Sequence, residues 1–577
     1  MTVVRTLIAI LTPGERASGL LLVGLLVVGM MLEMLGIGIV VPALTAMSSG
    51  MASLSSPGAR AWLAVFGDPT PGQIILGGLV LLFAIHLVKA GFLLFTGWYQ
   101  AGFVARLQAR TSEQLFRGYL TQPWSYHLVR NSGDLVRNLS ETATLGSGCT
   151  ALIGLLGESL VLLGLLALLV WHEPLGALAV AGLLTAAAWL LQRFTHDRLQ
   201  NWGTRYWDHA GQAHRIFSEA LQGAKDFKVL GREETLFERV AAHKREQTRL
   251  GTWSGVVQQL PRVWFELVAV SGLCLLTAVM VREGKAPEAM VPTLGLFAAA
   301  AFRILPSANR VMNSLQTLRV SAKVIETLHT DLGLAAPPVP PAPEPLVFRD
   351  AIRLERVSFR YDTGAADALG DVSLTIPRGT AVGIIGGSGS GKSTLVDILL
   401  GLLPPTAGRV TVDGCDIAAH PRAWQALVGY VPQTIFLVDD TLRANVALGV
   451  PAGRIDDAAV RRALAAARLD EFVAGLPEGW DTVVGERGVR LSGGQRQRIG
   501  IARALYHDPR VLVLDEATSA LDNETEKGVM AAVDALHGAK TLVIIAHRLS
   551  TVANCDVLYR LEHGRVVAAG SFLEVTA

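Results

Sequence analysis

AVGIIGGSGSGKSTLVDILLGLL, residues 381–403, decides the fold of the second half of this chain. It opens on AVGII, a short apolar run of the kind found in buried strands, and closes on the helix-like LVDILLGLL. Between them GGSGSGKST fits the phosphate-loop spacing GxxxxGK followed by Ser or Thr, in the strand-to-helix context that the spacing requires. Glycines let backbone N–H groups wrap phosphate oxygens, and the helix N-terminus adds positive potential. Gly386, Gly387, Ser388, Gly389, Ser390, Gly391, Lys392, Ser393 and Thr394 are therefore assigned to a nucleotide phosphate site. Within it Lys392 reaches the β- and γ-phosphates, and the Ser393 hydroxyl holds Mg²⁺.

Downstream, VLVLDE at 511–516 is an apolar strand ending in two carboxylates. Asp515 is placed to bind Mg²⁺, and Glu516 to orient and deprotonate an attacking water. Between the two motifs lies LSGGQ at 491–495, followed by RQRIGIARAL. A Ser-Gly-Gly turn opening a helix is a second phosphate site. Two such sites in one domain make sense if they act on different nucleotides. Upstream, IRLERVSFRY at 352–361 alternates as a strand does. AAPPVPPAPEP at 335–345 holds six prolines and can be neither helix nor sheet interior. It is a stiff connector, so the boundaries read as 1–330, a linker at 331–346, and a nucleotide-binding domain at 347–577.

The other half is of a different kind. The 577 residues allow two or three domains. Half are hydrophobic and 17% are charged, against about a quarter in an average soluble domain. A spanning helix needs about 20 mostly apolar residues. Six runs qualify, at about 18–41, 72–104, 149–171, 174–194, 252–281 and 289–312. The first is too long for the h-region of a secretory signal, about 7–15 residues, and reads as a retained span. Six spans put both ends on one side. The basic loops 105–148 and 195–251 put that side in the cytoplasm. Both loops read as helix around a short break, at 123–133 (PWSYHLVRNSG) and 223–231 (GAKDFKVLG), so each break is expected to be a short helix at the tip of a long extension.

Cys149, Cys274, Cys415 and Cys555 match neither a zinc spacing nor a disulfide framework. A net charge of +2 does not point to nucleic acid. Glu33, His86, Lys89, Glu158, Arg262, Glu266, Arg303 and Arg310 fall inside spans. Such groups pair between helices or face a cavity. The excess of Lys89, Arg262, Arg303 and Arg310 favours a cavity that accepts an anion.

From the phosphate loop onward the chain resembles an ABC-type ATPase in every segment. LSGGQ resembles the family signature, so Ser492, Gly493, Gly494 and Gln495 would complete the ATP site of the opposite subunit. Gln433 in VPQTIF resembles the glutamine that links Mg²⁺ to the membrane domain. Asp522 in SALD resembles the D-loop aspartate, His547 in IIAHRLS the switch histidine at the γ-phosphate, and Tyr361 the aromatic that stacks on adenine. VGERG at 484–488 resembles a segment typical of exporters. Glu516, His547 and Gln433 are thus the implied catalytic set, with ATP and Mg²⁺ as cofactors and Ser393, Gln433 and Asp515 on the metal.

Six spans followed by one ATPase resemble an ABC half-transporter of the exporter type. That resemblance implies a six-span α-helical membrane domain with long cytoplasmic extensions, fused to an α/β nucleotide-binding domain. The two breaks would be coupling helices, and the mechanism alternating access. The intact motif set implies a homodimer, with a heterodimer whose partner carries its own complete motifs as the alternative. MLEMLGIGIVVPAL at 31–44 and AFRILPSANR at 301–310 resemble bacterial flippases of lipid-linked oligosaccharides. In that group an outer surface helix meets the polyprenyl tail, and PGARAWLAVFG at 57–67 is its counterpart. Basic cavity residues of that group meet the diphosphate. Lys89 stands where an arginine is expected, and lysine cannot make a planar two-point contact with phosphate. The implied location is a bacterial inner membrane. A multidrug or lipid exporter and an ATP-gated channel remain as alternatives. The six spans exclude a soluble ABC protein acting on nucleic acid.

Overall fold

Six long helices carry the six apolar runs: Pro13–Ser49, Pro71–Thr121, Thr142–His172, Pro174–Gln222, Glu233–Arg282 and Pro287–Val320. The computed structural model describes residues 2–49, 71–172, 174–282, 287–334, 346–362, 364, 366–485, 488, 491–517 and 523–577. The expected surface helix at 57–67, the proline-rich 335–345 and Asp522 lie outside the described residues, as do Glu486 and Arg487 of the exporter-type segment.

Four of the six helices begin with proline, whose fixed φ and missing N–H suit the first helical position. At Pro13 the start is reinforced by a reciprocal cap. Glu15 N–H donates to Thr12 Oγ1 at 3.3 Å, and Thr12 N–H donates to Glu15 Oε2 at 2.9 Å. Many of the apolar residues on these helices point outward. Leu94 is 77% exposed and Trp98 72%, a surface stable only against lipid. Among the described residues, four stretches are long and apolar enough to cross a membrane: Pro13–Gly36, Leu79–Thr121, Ser132–Leu168 and Glu233–Arg282.

Short helices occupy the two expected breaks, Trp124–Val129 and Ala224–Leu230. The second is bounded by Gly223 and by Gly231, whose φ of +59° closes the helix in the left-handed conformation. A buried network ties the extensions together. Tyr119 donates to Asp331 Oδ2 at 2.5 Å, and Asn138 donates to the same oxygen at 2.8 Å. The helix bearing Asp331, Ala322–Leu332, runs past the expected boundary at 330.

The chain divides into two compact units. One holds Met1–Gln122 and Val129–Pro337, the other Pro123–Leu128 and Pro338–Ala577. The second unit is α/β. β1 (Ala351–Phe359), β2 (Leu369–Pro377), β4 (Ala407–Val412) and β5 (Cys415–Asp416) form an antiparallel sheet in the order β2-β1-β4-β5. β3 (Ala381–Ile385), β6 (Val428–Val431), β7 (Val511–Asp515), β8 (Thr541–Ile545), β9 (Val557–Glu562) and β10 (Arg565–Gly570) form a second sheet in the order β10-β9-β3-β8-β7-β6. β3, β7 and β8 read as continuous apolar runs because both faces are covered. One face packs on a core with helices Asp457–Ala466 and Gly493–Leu505, the other on the first sheet and helix Lys392–Leu399.

Candidate functional site

Four neighbouring parallel strands deliver the site. β3 pairs with β8, β8 with β7, and β7 with β6, all parallel. Their C-terminal ends therefore open on one edge, where ligands bind in open α/β sheets. The register brings these ends level: Ile384 pairs with Ile545, Asp515 with Ile545, and Val431 with Leu514. The phosphate loop leaves β3, His547 comes just after β8, Asp515 and Glu516 close β7, and Gln433 comes just after β6.

Parts of the loop require glycine. A Cβ at Gly386 would meet Leu561 O at 2.4 Å and Ser390 Oγ at 2.7 Å. Gly389 and Gly391 have φ of +77° and +98°. Lys392 is 6% exposed, and its ammonium donates to Gly386 O at 2.9 Å and Gly387 O at 2.8 Å. Burial lowers its pKa, opposed by the charges of Glu516 and Asp515. Ser390 Oγ is buried with no hydrogen-bond partner among the described residues. A buried hydroxyl left open in a glycine-rich loop that leads into a helix N-terminus fits a phosphate oxygen.

Glu516 is gripped from both sides. Gln433 Nε2 donates to its Oε2 at 2.7 Å, and His547 Nε2 lies 2.7 Å from its Oε1. Its backbone sits at φ +47°, and its N–H donates to Ile545 O at 3.0 Å. Left-handed backbone at a non-glycine residue costs about 1–3 kcal/mol and concentrates at functional sites. Burial, with the adjacent Glu516 charge, raises the Asp515 carboxyl, while the Tyr430 phenol hydrogen-bonds to it and pulls the other way. Two neighbouring carboxylates in a partly buried cleft are a fit for a divalent cation.

Tyr361 lies just past β1. Its hydroxyl is 3.0 Å from Thr394 Oγ1, and its ring stands edge-on to Phe359 with centroids 4.9 Å apart. Ser492 caps helix Gly493–Leu505: it accepts from Gln495 N–H at 3.2 Å, while its own N–H donates to Gln495 Oε1 at 2.8 Å. Among the described residues no hydrogen bond or ion pair links Ser492, Gly493, Gly494 or Gln495 to the phosphate loop of the same chain. Ser492→Ala removes this cap and should cost about 1 kcal/mol of local stability, read as roughly fivefold faster hydrogen exchange at the Gly493–Leu505 amides of the full chain. Unchanged exchange would contradict it.

In the helical unit, each of the four cations expected to line an anion-accepting cavity has a carboxylate beside it. Lys89 Nζ lies 2.6 Å from Glu33 Oε2, and Arg303 Nε lies 2.6 Å from Glu33 Oε1 without the alignment of a hydrogen bond. Arg310 Nε is 2.8 Å from Glu158 Oε1. Arg262 Nε donates to Glu266 Oε1 at 3.1 Å, one turn on along its own helix and largely exposed.

The sequence pattern described as ABC transporter matches residues 369–519, and that described as ABC transporter transmembrane region matches residues 23–281. The ATP-dependent lipid A-core flippase of Nitrosococcus oceani is 32% identical over 520 residues, covering 88% of this chain and 85% of that protein. The chain belongs to the ABC transporter family. A protein of the same description from Ralstonia nicotianae is 35% identical over 430 residues, covering 73% of this chain and 72% of its own. Among solved structures, a bacterial Atm1-family ABC exporter with ATP bound superposes with a TM-score of 0.75 at 25% identity, covering 93% of this chain and 95% of that one.

This ABC transporter is an integral membrane protein with a helical membrane domain fused to an α/β ATPase, and it couples ATP hydrolysis to transport. Sequence reasoning left helix–helix pairing and a cavity both open for Glu33 and Glu158, and did not identify which cations they pair with. It also passed over Tyr430, whose hydrogen bond to Asp515 comes from its place on β6 beside β7.

Proposed function

We propose that two copies of this chain form a homodimer that flips a phosphate-bearing glycolipid across the bacterial inner membrane by alternating access. The observation that carries this reading is the set of cations paired with carboxylates in otherwise apolar helices, in a chain whose relatives are named lipid A-core flippases. Charge in a spanning helix is costly unless it serves a partner or a passage. Lys89, Arg303 and Arg310, with Arg262 at the edge, serve the anionic head group. Both a lipid A-core and a polyprenyl diphosphate-linked oligosaccharide carry sugar and phosphate on an apolar anchor. The membrane resemblance favours the second and the relatives' names the first.

On the ATPase side, Tyr361 stacks on adenine, while Lys392 and the N–H groups of residues 386–394 hold the phosphates. Ser393, Gln433 and Asp515 hold Mg²⁺, which neutralises charge on the β- and γ-phosphates when bound. Glu516 takes the proton from water, and His547 contacts the γ-phosphate. Ser492, Gly493, Gly494 and Gln495, with Asp522, complete the site of the partner subunit. For this, Gln433 and His547 must release Glu516 as nucleotide enters, which makes ATP binding a rearrangement of the site. Residues 123–133 and 223–231 act as coupling helices. Pro123–Leu128 groups with the ATPase unit in support of that role. Both ends and the ATPase domain lie in the cytoplasm.

The test is ATPase activity in phosphatidylcholine nanodiscs, with and without a polyprenyl diphosphate oligosaccharide or lipid A. Stimulation by one of them that falls about tenfold or more in Arg303→Ala is expected, from the loss of a charge-assisted contact. Stimulation only by neutral drugs, unaffected by Arg303→Ala, moves the substrate to the multidrug class.

A further inference from the structure

Glu33 lies mid-way along helix Pro13–Ser49 and is 6% exposed. Its two oxygens are divided between cations from two other helices, Lys89 on Pro71–Thr121 and Arg303 on Pro287–Val320, each 2.6 Å away. Lys89 and Arg303 with Arg310 are three cations, facing the two carboxylates Glu33 and Glu158. One positive charge is left over per chain, far fewer than the cations alone suggest. Arg303 Nε is also buried without an aligned acceptor, although Glu33 is at ion-pair distance. The guanidinium is neutralised by Glu33 but not satisfied by it, so it is under-used as a donor.

We infer that Glu33 is a built-in counter-ion that occupies the anion site of Lys89 and Arg303 between transport events, and that an entering head group must take both cations from it. This rests on the proposed anionic substrate and goes beyond it, by making Glu33 the residue that sets which anions qualify. Three physical points lead there. Two adjacent cations inside apolar helices cannot be left bare, so the resting protein needs an anion at that place. A tethered carboxylate is always present, so a competing ligand must offer more than one negative charge within reach of both cations. Bulk phospholipids carry one phosphodiester charge and outnumber any rare substrate in the bilayer. A terminal phosphate or a diphosphate carries close to two charges or more and has three or more acceptor oxygens. Discrimination of this kind comes from making the wrong ligand displace something, rather than from binding the right one more tightly.

The experiment uses full-length transporter in phosphatidylcholine nanodiscs, titrated separately with undecaprenyl diphosphate, lipid A and phosphatidylglycerol, with ATPase stimulation as readout. Wild type should respond to one of the first two and ignore phosphatidylglycerol. Glu33→Gln should lower the half-saturating fraction of the active probe about tenfold, and phosphatidylglycerol should now stimulate. A change in which lipid charge is accepted is something a merely structural role for Glu33 would not produce. Glu33→Gln leaves two bare cations and can fail to fold. The pair Glu33→Gln with Lys89→Met keeps the wild-type formal charge of the cluster and leaves Arg303 without a carboxylate, so it too should respond to phosphatidylglycerol. If both variants fold and still ignore phosphatidylglycerol while Arg303→Ala loses the response to the active probe, the counter-ion role is overturned and the anionic substrate stands. If Arg303→Ala keeps the full response, or wild type answers neither lipid A nor undecaprenyl diphosphate, the anion site itself is overturned and Glu33 with it.

Discussion

Glu516→Gln is expected to lower ATP turnover about a thousandfold while leaving nucleotide bound. The substitution is nearly isosteric, and the backbone at φ +47° has no reason to move. Gln433 Nε2 now sits 2.7 Å from one carboxylate oxygen, and an amide oxygen there still accepts, though more weakly than the carboxylate. What is lost is the capacity to take a proton from water at a group held beside the end of β7. Lys392 and the loop glycines do not depend on Glu516 for position, since the Lys392 ammonium is held by Gly386 O and Gly387 O. Binding and catalysis should therefore separate. Phosphate release from the purified transporter falls to background, while ATP added with Mg²⁺ stays with the protein through gel filtration. Residual turnover above about a tenth of wild type would remove Glu516 from the role of base, because a group supplying a proton-transfer step contributes roughly 10²–10⁴-fold.

The separation matters because the four side chains of this site are far apart in sequence and adjacent only through strand order. AVGII before the loop and VLVLDE were each legible as short apolar strands, whereas VPQTIF and IIAHRLS were legible only through family resemblance. A strand that is buried on both faces has few other ways to look. Their convergence was legible only through family resemblance, since no local pattern says that β6 neighbours β7 or that β8 lies between β3 and β7. The long helices were legible because their apolar runs are long. The charges within them were harder. Glu33, Lys89 and Arg303 come from three helices, and their pairing depends on how those helices pack, which periodicity does not encode. Reading the cations alone overstated the free positive charge, because the counter-ions of Lys89, Arg303 and Arg310 sit far away in sequence on other helices.

Gly391→Ala should reduce ATP affinity by at least about a hundredfold and destabilise the ATPase domain by about 2–4 kcal/mol. The residue stands at φ +98° immediately before helix Lys392–Leu399, a conformation L side chains rarely adopt. An added Cβ would also come within 2.7 Å of Ala368 O and 2.8 Å of Leu369 Cδ2. Neither neighbour can give way. Ala368 N–H donates to Phe359 O at 2.8 Å, Gly370 N–H donates to Gly564 O at 2.9 Å, and Leu369 is fully buried at the start of β2. The loop must move instead, carrying the helix N-terminus and Lys392 away from the phosphates. A shift of about 1 Å is enough to cost a hundredfold where alignment matters. Gly389→Ala supplies the control. Gly389 has φ +77°, but an added Cβ there meets nothing within 4 Å, so only the backbone strain of about 1–2 kcal/mol applies. Binding of a fluorescent ATP analogue should thus fall no more than about thirtyfold in Gly389→Ala, and much further in Gly391→Ala, with thermal unfolding lowered in the same order. Equal losses at the two positions would mean that φ alone governs the loop, and that the close approach of β2 to Gly391 plays no part in holding it.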